Sequence, residues 1–141
     1  PFEIRVPRLA KKIAAGVEFI QTQCIFNVEK FKLYMKLAGD RGLTEKVFIL
    51  AGVTPLKSVG MAKYMKNRVP GMDVPDDIVK RMGGVAKEKQ MEEGLKICVE
   101  TIQQLKEVSG VRGFHVMAIE WEEKVPEIIE QSGLYPRPQI G

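Results

Sequence analysis

The residues best suited to chemistry lie in one stretch, Gly16-Val17-Glu18-Phe19-Ile20-Gln21-Thr22-Gln23-Cys24-Ile25-Phe26-Asn27. Gln23 carries a donor and an acceptor on one amide, which matches a heterocycle edge bearing N–H and C=O groups side by side. The polar pair Thr22-Gln23 stands at the carboxyl end of an otherwise apolar segment. In parallel α/β proteins that end is where ligands bind. The bland alternative is a polar strand end satisfied by neighbouring backbone. One turn before Gly16, Lys11 and Lys12 place two cations near a helix end, where they either complement the dipole or hold a phosphate. The single histidine, His115, sits in an apolar run, which favours a hydrogen-bonded core role over a catalytic one. Met61 and Met65, at i and i+4, read as core rather than as a shelf for a ligand.

Several chemistries are excluded by pattern. Gly83-Gly84 and Gly110-x-x-Gly113 lack the flanking glycines of a nucleotide fingerprint, and there is no Gly-x-Ser-x-Gly elbow. One histidine leaves no metal-ligand spacing. Cys24 and Cys98 are far apart and outside any Cys-x-x-Cys pair, so two structural thiols in a reducing compartment are expected. The net charge is +4, but Lys87-Glu88-Lys89 and Glu122-Glu123-Lys124 mix their signs. That is the pattern of solvated helix faces rather than of a nucleic-acid footprint.

The elements that must position these residues follow from periodicity. Gly16 ends a helix over residues 8–15, a strand carries Phe19, Ile20, Ile25 and Phe26, and Asn27 caps a helix over residues 28–38. Alternation along the strand sends Phe19, Gln21 and Gln23 to the same side. Residues 46–51 contain Val47-Phe48-Ile49-Leu50, a continuous apolar run typical of a strand covered on both faces. A helix is expected over 58–66, a turn-rich connection over 69–74, and a short helix from Pro75-Asp76-Asp77 to Gly83-Gly84. The longest helix spans 86–108, with Met91, Leu95, Cys98, Ile102 and Leu105 facing the core. Gly110-Val111-Arg112-Gly113 reads as a turn, 114–119 as the third strand, and 121–131 as a last helix before the non-helical tail Tyr135-Pro136-Arg137-Pro138.

Three alternations of strand and helix predict an α/β fold with parallel strands, part of a doubly wound sheet or of a (β/α) barrel. At 141 residues, 45% hydrophobic and 28% charged, the chain is expected to form one domain over 1–141. No apolar run approaches the roughly 20 residues of a membrane span, and no leader is recognisable, so a cytoplasmic location is expected. The start at Pro1, without methionine, points to a fragment or processed product.

Lys11-Lys12-Ile13-Ala14-Ala15-Gly16-Val17-Glu18-Phe19-Ile20-Gln21-Thr22-Gln23, followed by Phe26-Asn27-Val28-Glu29, resembles the methylenetetrahydrofolate reductases. Gly52-Val53-Thr54-Pro55 and Gly110-Val111-Arg112-Gly113-Phe114-His115 resemble their later segments, in the same order. The resemblance implies the carboxyl-terminal portion, about three β/α units, of a (β/α)8 TIM barrel. It implies FAD as cofactor and reduction of 5,10-methylenetetrahydrofolate to 5-methyltetrahydrofolate with a nicotinamide or other electron donor. Gln23 matches the substrate-binding glutamine that contacts the pterin and the stacked nicotinamide. Lys11 and Lys12 match basic, cofactor-binding positions near the phosphates and adenosine of FAD. The general acid and the aspartate beside the flavin ring belong to the first half of the barrel, so the resemblance assigns no catalytic residue here and implies an inactive isolated chain.

Departures from the family pattern point to a divergent branch. Met61, Met65 and Trp121 stand where better-known bacterial enzymes contact folate, and Arg5 and Arg8 replace an acid and an amide near the cofactor. A homo-oligomer or a partner subunit is expected, with no nucleic acid and no membrane. The alternative, of another class, is a non-catalytic assembly module that docks a partner chain through an open half-barrel edge.

Overall fold

The computed structural model describes residues 2–137 and 139. Three parallel strands, β1 (Phe19–Cys24), β2 (Phe48–Val53) and β3 (Val111–Val116), form one sheet in the order β1-β2-β3. Six α-helices accompany them: α1 (Arg5–Ala14), α2 (Val28–Gly39), α3 (Val59–Arg68), α4 (Asp76–Gly83), α5 (Gln90–Lys106) and α6 (Val125–Gln131). The expected α/β alternation with a parallel sheet is therefore observed. The tail is non-helical through Arg137, while Pro138 and Pro1 lie outside the described residues.

Local chemistry accounts for the helix starts. Asn27 caps α2 by accepting from the Lys30 N–H at 3.0 Å, and Ser58 caps α3 by accepting from the Met61 N–H at 3.1 Å. Asp76 and Asp77 occupy the first turn of α4, where the helix dipole favours acids. A buried cluster then joins Val6 and Leu9 of α1, Phe31 and Met35 of α2, Ile102 and Leu105 of α5 and Ile128 of α6 to Ile49, Ala51 and Val53 of β2. Phe26, Leu56, Ala62, Met65, Met82 and Ile97 form a second cluster between the loops after β1 and β2 and helices α3 to α5.

The sequence expectations need four corrections. Residues 111–113 are strand, not turn: Ile49 pairs with Val111 and Leu50 with Gly113, and a Cβ on Gly113 would lie 3.0 Å from Leu50 Cδ2. Glycine there marks close approach of a neighbouring side chain rather than chain reversal. The long helix is a 3-10 turn over Lys87–Lys89 followed by α5, and Met91 is 43% exposed instead of facing the core. Gln90 takes the buried place and accepts a hydrogen bond from the Val59 N–H at 3.0 Å. The last helix likewise begins as a 3-10 turn over Glu122–Lys124, with Pro126 near the start of α6.

The fourth correction concerns β2, which is covered on one face only. Ile49, Ala51 and Val53 point into the helix layer, whereas Phe48 is 61% exposed. On β1 the same division leaves Phe19 60% exposed, with Gln21 exposed two residues on as alternation requires. Phe19 and Phe48 are register partners, so the open face carries two adjacent aromatic rings. A parallel sheet with one bare apolar face is unusual, because crossover helices or further strands normally cover both.

Candidate functional site

The carboxyl end of β1 is irregular, and the irregularity decides where Gln23 goes. Gln21 pairs with Leu50 but Cys24 with Gly52, so three steps on β1 oppose two on β2. The extra residue makes a bulge at Thr22-Gln23, a device that re-aims side chains beside binding sites. Thr22 holds it: its Oγ1 accepts from the Gly52 N–H at 2.8 Å and donates to the Gln23 carbonyl at 2.8 Å. Gly52 is obligatory opposite the bulge, since a Cβ there would lie 2.5 Å from the Thr22 carbonyl oxygen and 2.8 Å from that of Gln23.

The Gln23 amide meets the loop between α3 and α4. Its Nε2 donates to the Pro70 carbonyl at 3.5 Å, and its Oε1 would lie 3.2 Å from a Cβ on Gly71, whose φ is +79°. Only glycine takes that backbone conformation without strain and leaves the amide its room. Asp73 ties this loop to the start of α2, accepting from Lys30 Nζ at 2.6 Å and from Asn27 Nδ2 at 3.3 Å. Asn27 therefore caps a helix and anchors a loop at once.

Between α1, the end of β1 and the start of α2 lies a cavity of about 400 Å³. That lies within the range of about 300–1,000 Å³ typical of small-molecule sites. Arg5, Arg8, Lys12, Gln23, Lys30 and Tyr34 are among its lining residues. Burial pushes the Tyr34 phenol above its usual range, and the neighbouring Arg5 charge pulls the other way.

The structure thus brings Lys12 and Gln23 to one cavity, while Lys11 does not line it. Met65 is buried in the second cluster and Met61 packs against it, its Sδ accepting from the Lys57 N–H at 3.4 Å. Both methionines are core groups, as their spacing predicted, and so is Trp121 at 6% exposure. His115 is half-buried beside its register partner Gly52, and none of the described hydrogen bonds involves its imidazole. Among the described residues, no three of His, Cys, Asp and Glu converge as a metal-ligand set. Cys24 and Cys98 are unbridged, and burial pushes their thiols up to about 11 and about 12. Such thiols are poor nucleophiles.

Sequence reasoning missed Thr22 as the bulge clamp, Asp73 as the loop anchor and Tyr34 on the cavity wall. The i, i+3, i+7 spacing of Arg5, Arg8 and Lys12 was a visible signal of one shared helix face. The Asp73 contact had no local signal, because its partners Lys30 and Asn27 lie 43 and 46 residues away.

Parallel strands feeding helices, with a cavity and an amide at a strand's carboxyl end, make an α/β segment of the kind found in barrel and doubly wound folds. The chain belongs to the methylenetetrahydrofolate reductase family, whose model matches residues 2–133. It is 29% identical over 136 residues to "Methylenetetrahydrofolate reductase 2" of Schizosaccharomyces pombe, covering 92% of this chain and 21% of that protein. It is 22% identical over 129 residues to a "Probable methylenetetrahydrofolate reductase (NADPH)" of Caenorhabditis elegans, covering 90% of this chain and 19% of that protein. The chain spans about a fifth of the length of these relatives.

Proposed function

We propose that this chain is the carboxyl-terminal part, a single domain of about three β/α units, of the (β/α)8 barrel of an FAD-dependent methylenetetrahydrofolate reductase. The observation that carries the reading is the joining of Gln23 and Lys12 in one cavity at the bulged carboxyl end of β1. The bare face of the sheet supports the barrel, since in a closed barrel Phe19, Gln21 and Phe48 would point inward and be covered by side chains of other strands.

The cationic cavity wall suits the phosphates of a flavin dinucleotide in charge. Lys12 supplies a cation on the cavity wall for its phosphates, and Lys11 adds charge from beside it on α1. The chemistry FAD supplies when bound is hydride transfer to the one-carbon unit of the folate, which yields 5-methyltetrahydrofolate. Gln23 orients the pterin through paired donor and acceptor contacts, and its pose is set by Thr22 on one side and the Pro70-Gly71 loop on the other. A nicotinamide nucleotide is the electron donor in this reading. The family resemblance sets the proton donor in the first half of the barrel and assigns none of the present residues to that role, so the isolated chain is inactive in this reading.

The test is an FAD titration of the longest polypeptide that carries this chain, followed by flavin absorbance, with turnover of methyltetrahydrofolate and an artificial acceptor. Micromolar binding, about 8 kcal/mol, and turnover are expected, and Gln23→Ala abolishes turnover while leaving FAD bound. Absence of both binding and turnover would overturn the reading. The open face and edges of the sheet favour one second reading, a non-catalytic module that docks a partner chain or another copy. Self-association of a chain that binds no flavin would select it.

A further inference from the structure

Both ends of the Gln23 amide face the loop between α3 and α4. Nε2 donates to the Pro70 carbonyl, and Oε1 would lie 3.2 Å from a Cβ on Gly71. A heterocycle that pairs with the donor and the acceptor together must therefore stand where residues 70 and 71 now lie. The loop is held there lightly. At 3.5 Å the contact with Pro70 is at the outer limit of a hydrogen bond. The stronger hold is Asp73, which accepts from Lys30 Nζ at 2.6 Å and from Asn27 Nδ2 at 3.3 Å. The side chains of Lys30 and Asp73 are 42% and 40% exposed, so solvent screens the ion pair and it parts at little cost.

The ends of the loop are fixed more firmly than its middle. Val74 is 2% exposed within the second buried cluster, and Val69 packs against that cluster. Between them Pro70 and Gly71 are exposed, and Met72 and Asp73 only half-buried. When Asp73 lets go, Lys30 keeps a neighbour, the Phe2 ring, whose centroid is 5.9 Å from its Nζ. We propose that residues 70–73 are a latch over the Gln23 amide, shown here closed, and that a ligand reaches the amide by displacing them. The latch deepens the reading of Gln23 as the pterin contact, and rests on that reading for the identity of the ligand. A closed latch opposes binding, because the apparent affinity is the intrinsic affinity multiplied by the fraction open. Loosening the latch therefore tightens the ligand. A loop that merely props Gln23 in its pose gives the opposite sign.

The experiment measures the dissociation constant of 5-methyltetrahydrofolate, and amide exchange over residues 69–74, in the longest polypeptide that carries this chain. Asp73→Ala lowers the dissociation constant about two- to fivefold, the range set by parting an exposed ion pair. Gly71→Ala lowers it as well, since its Cβ presses on Gln23 Oε1 in the closed pose. That variant changes no charge, so it separates a latch from the simple removal of an acid beside the ligand. In the parent, saturating ligand speeds exchange over residues 69–74 while α3 and α4 keep their protection. Weaker or unchanged binding in either variant, or exchange that stays the same or slows when ligand is added, would overturn the proposal. If 5-methyltetrahydrofolate does not bind the parent at all, the pterin reading falls. The latch then stands if Asp73→Ala alone speeds exchange over residues 69–74 with α3 and α4 unchanged, and falls if it does not.

Discussion

Replacing Thr22 by valine removes one oxygen and almost no volume, which makes it the sharpest probe of the bulge that aims Gln23. The hydroxyl is the acceptor for the Gly52 N–H at 2.8 Å, and Gly52 is buried between β1 and β3. Valine leaves that N–H without a partner, which costs about 1–3 kcal/mol. Unfolding entropy near the midpoint is about 2.1 cal/mol/K per residue, or roughly 0.3 kcal/mol/K over 141 residues. A loss of about 2 kcal/mol therefore lowers Tm by about 7 °C. Thr22→Ser keeps the oxygen and sacrifices one methyl group, about 0.8 kcal/mol when fully buried, so its shift is less than half as large. The assay is thermal unfolding followed by circular dichroism, with both variants beside the parent. Thr22→Val within about 1 °C of the parent, or serine and valine giving equal shifts, would refute the hydroxyl's role.

Other substitutions test the neighbouring contacts. Gly52→Ala drives a Cβ against two backbone carbonyls, which cannot swing away as a side chain does, so a loss of about 1–3 kcal/mol is expected in urea unfolding. An unchanged midpoint would contradict the close packing at the bulge. Asp73→Ala releases the loop from Lys30 and Asn27, and faster amide hydrogen exchange over residues 69–74 is expected, with α5 unaffected. Protection that stays the same would mean that the loop is held by other contacts. Cys24 and Cys98, their thiols raised by burial, should resist a thiol reagent at about pH 8 in the native protein and react fully after denaturation. Rapid native labelling of either would count against the packing described for it.

The pH dependence rests on Arg81, which joins α4 to α5 through Glu93 and Glu100, its Nη2 donating to Glu100 Oε1 at 2.9 Å. The hydrogen bond from Arg81 holds the Glu100 carboxyl below its usual range. A carboxylate with a depressed folded-state pKa adds stability that is present above its unfolded pKa and is lost as pH falls through the folded one. Stability should therefore decline below about pH 4.5, and Arg81→Ala should flatten that decline while removing about 0.5–1 kcal/mol near neutrality. These side chains are 39% and 47% exposed, so solvent screening keeps the effect small. A slope that is identical with and without Arg81 would remove the pair from the account.

Local physics made most of the elements legible in the sequence. Asn27 caps α2 because its side chain reaches a backbone N–H only three residues on, and Gly16 follows α1 with a φ of +92° that favours glycine. The apolar run Val47-Phe48-Ile49-Leu50 marks a strand, and its order between helices marks a parallel one. Each of these depends on residues within a turn or two of one another. Gln23 and Lys12 were also recognisable as binding types from their own segments.

Tertiary structure alone decided the rest, because the deciding partners are far apart along the chain. The bulge at Thr22-Gln23 exists only against Gly52, thirty residues away, and the pose of Gln23 depends on Pro70, forty-seven away. Val111 to Gly113 resemble a turn until pairing with β2 recruits them as strand. Phe48 has the same sequence signature as a residue buried on both faces, yet which side of β2 the helices cover is set by the crossovers and not by the strand. Arg5 and Arg8 could be singled out by resemblance and by their spacing on α1, but only the fold sets them on one cavity wall with Gln23. Residue type and short-range period were thus written in the chain itself, whereas register, exposure and convergence came from long-range packing.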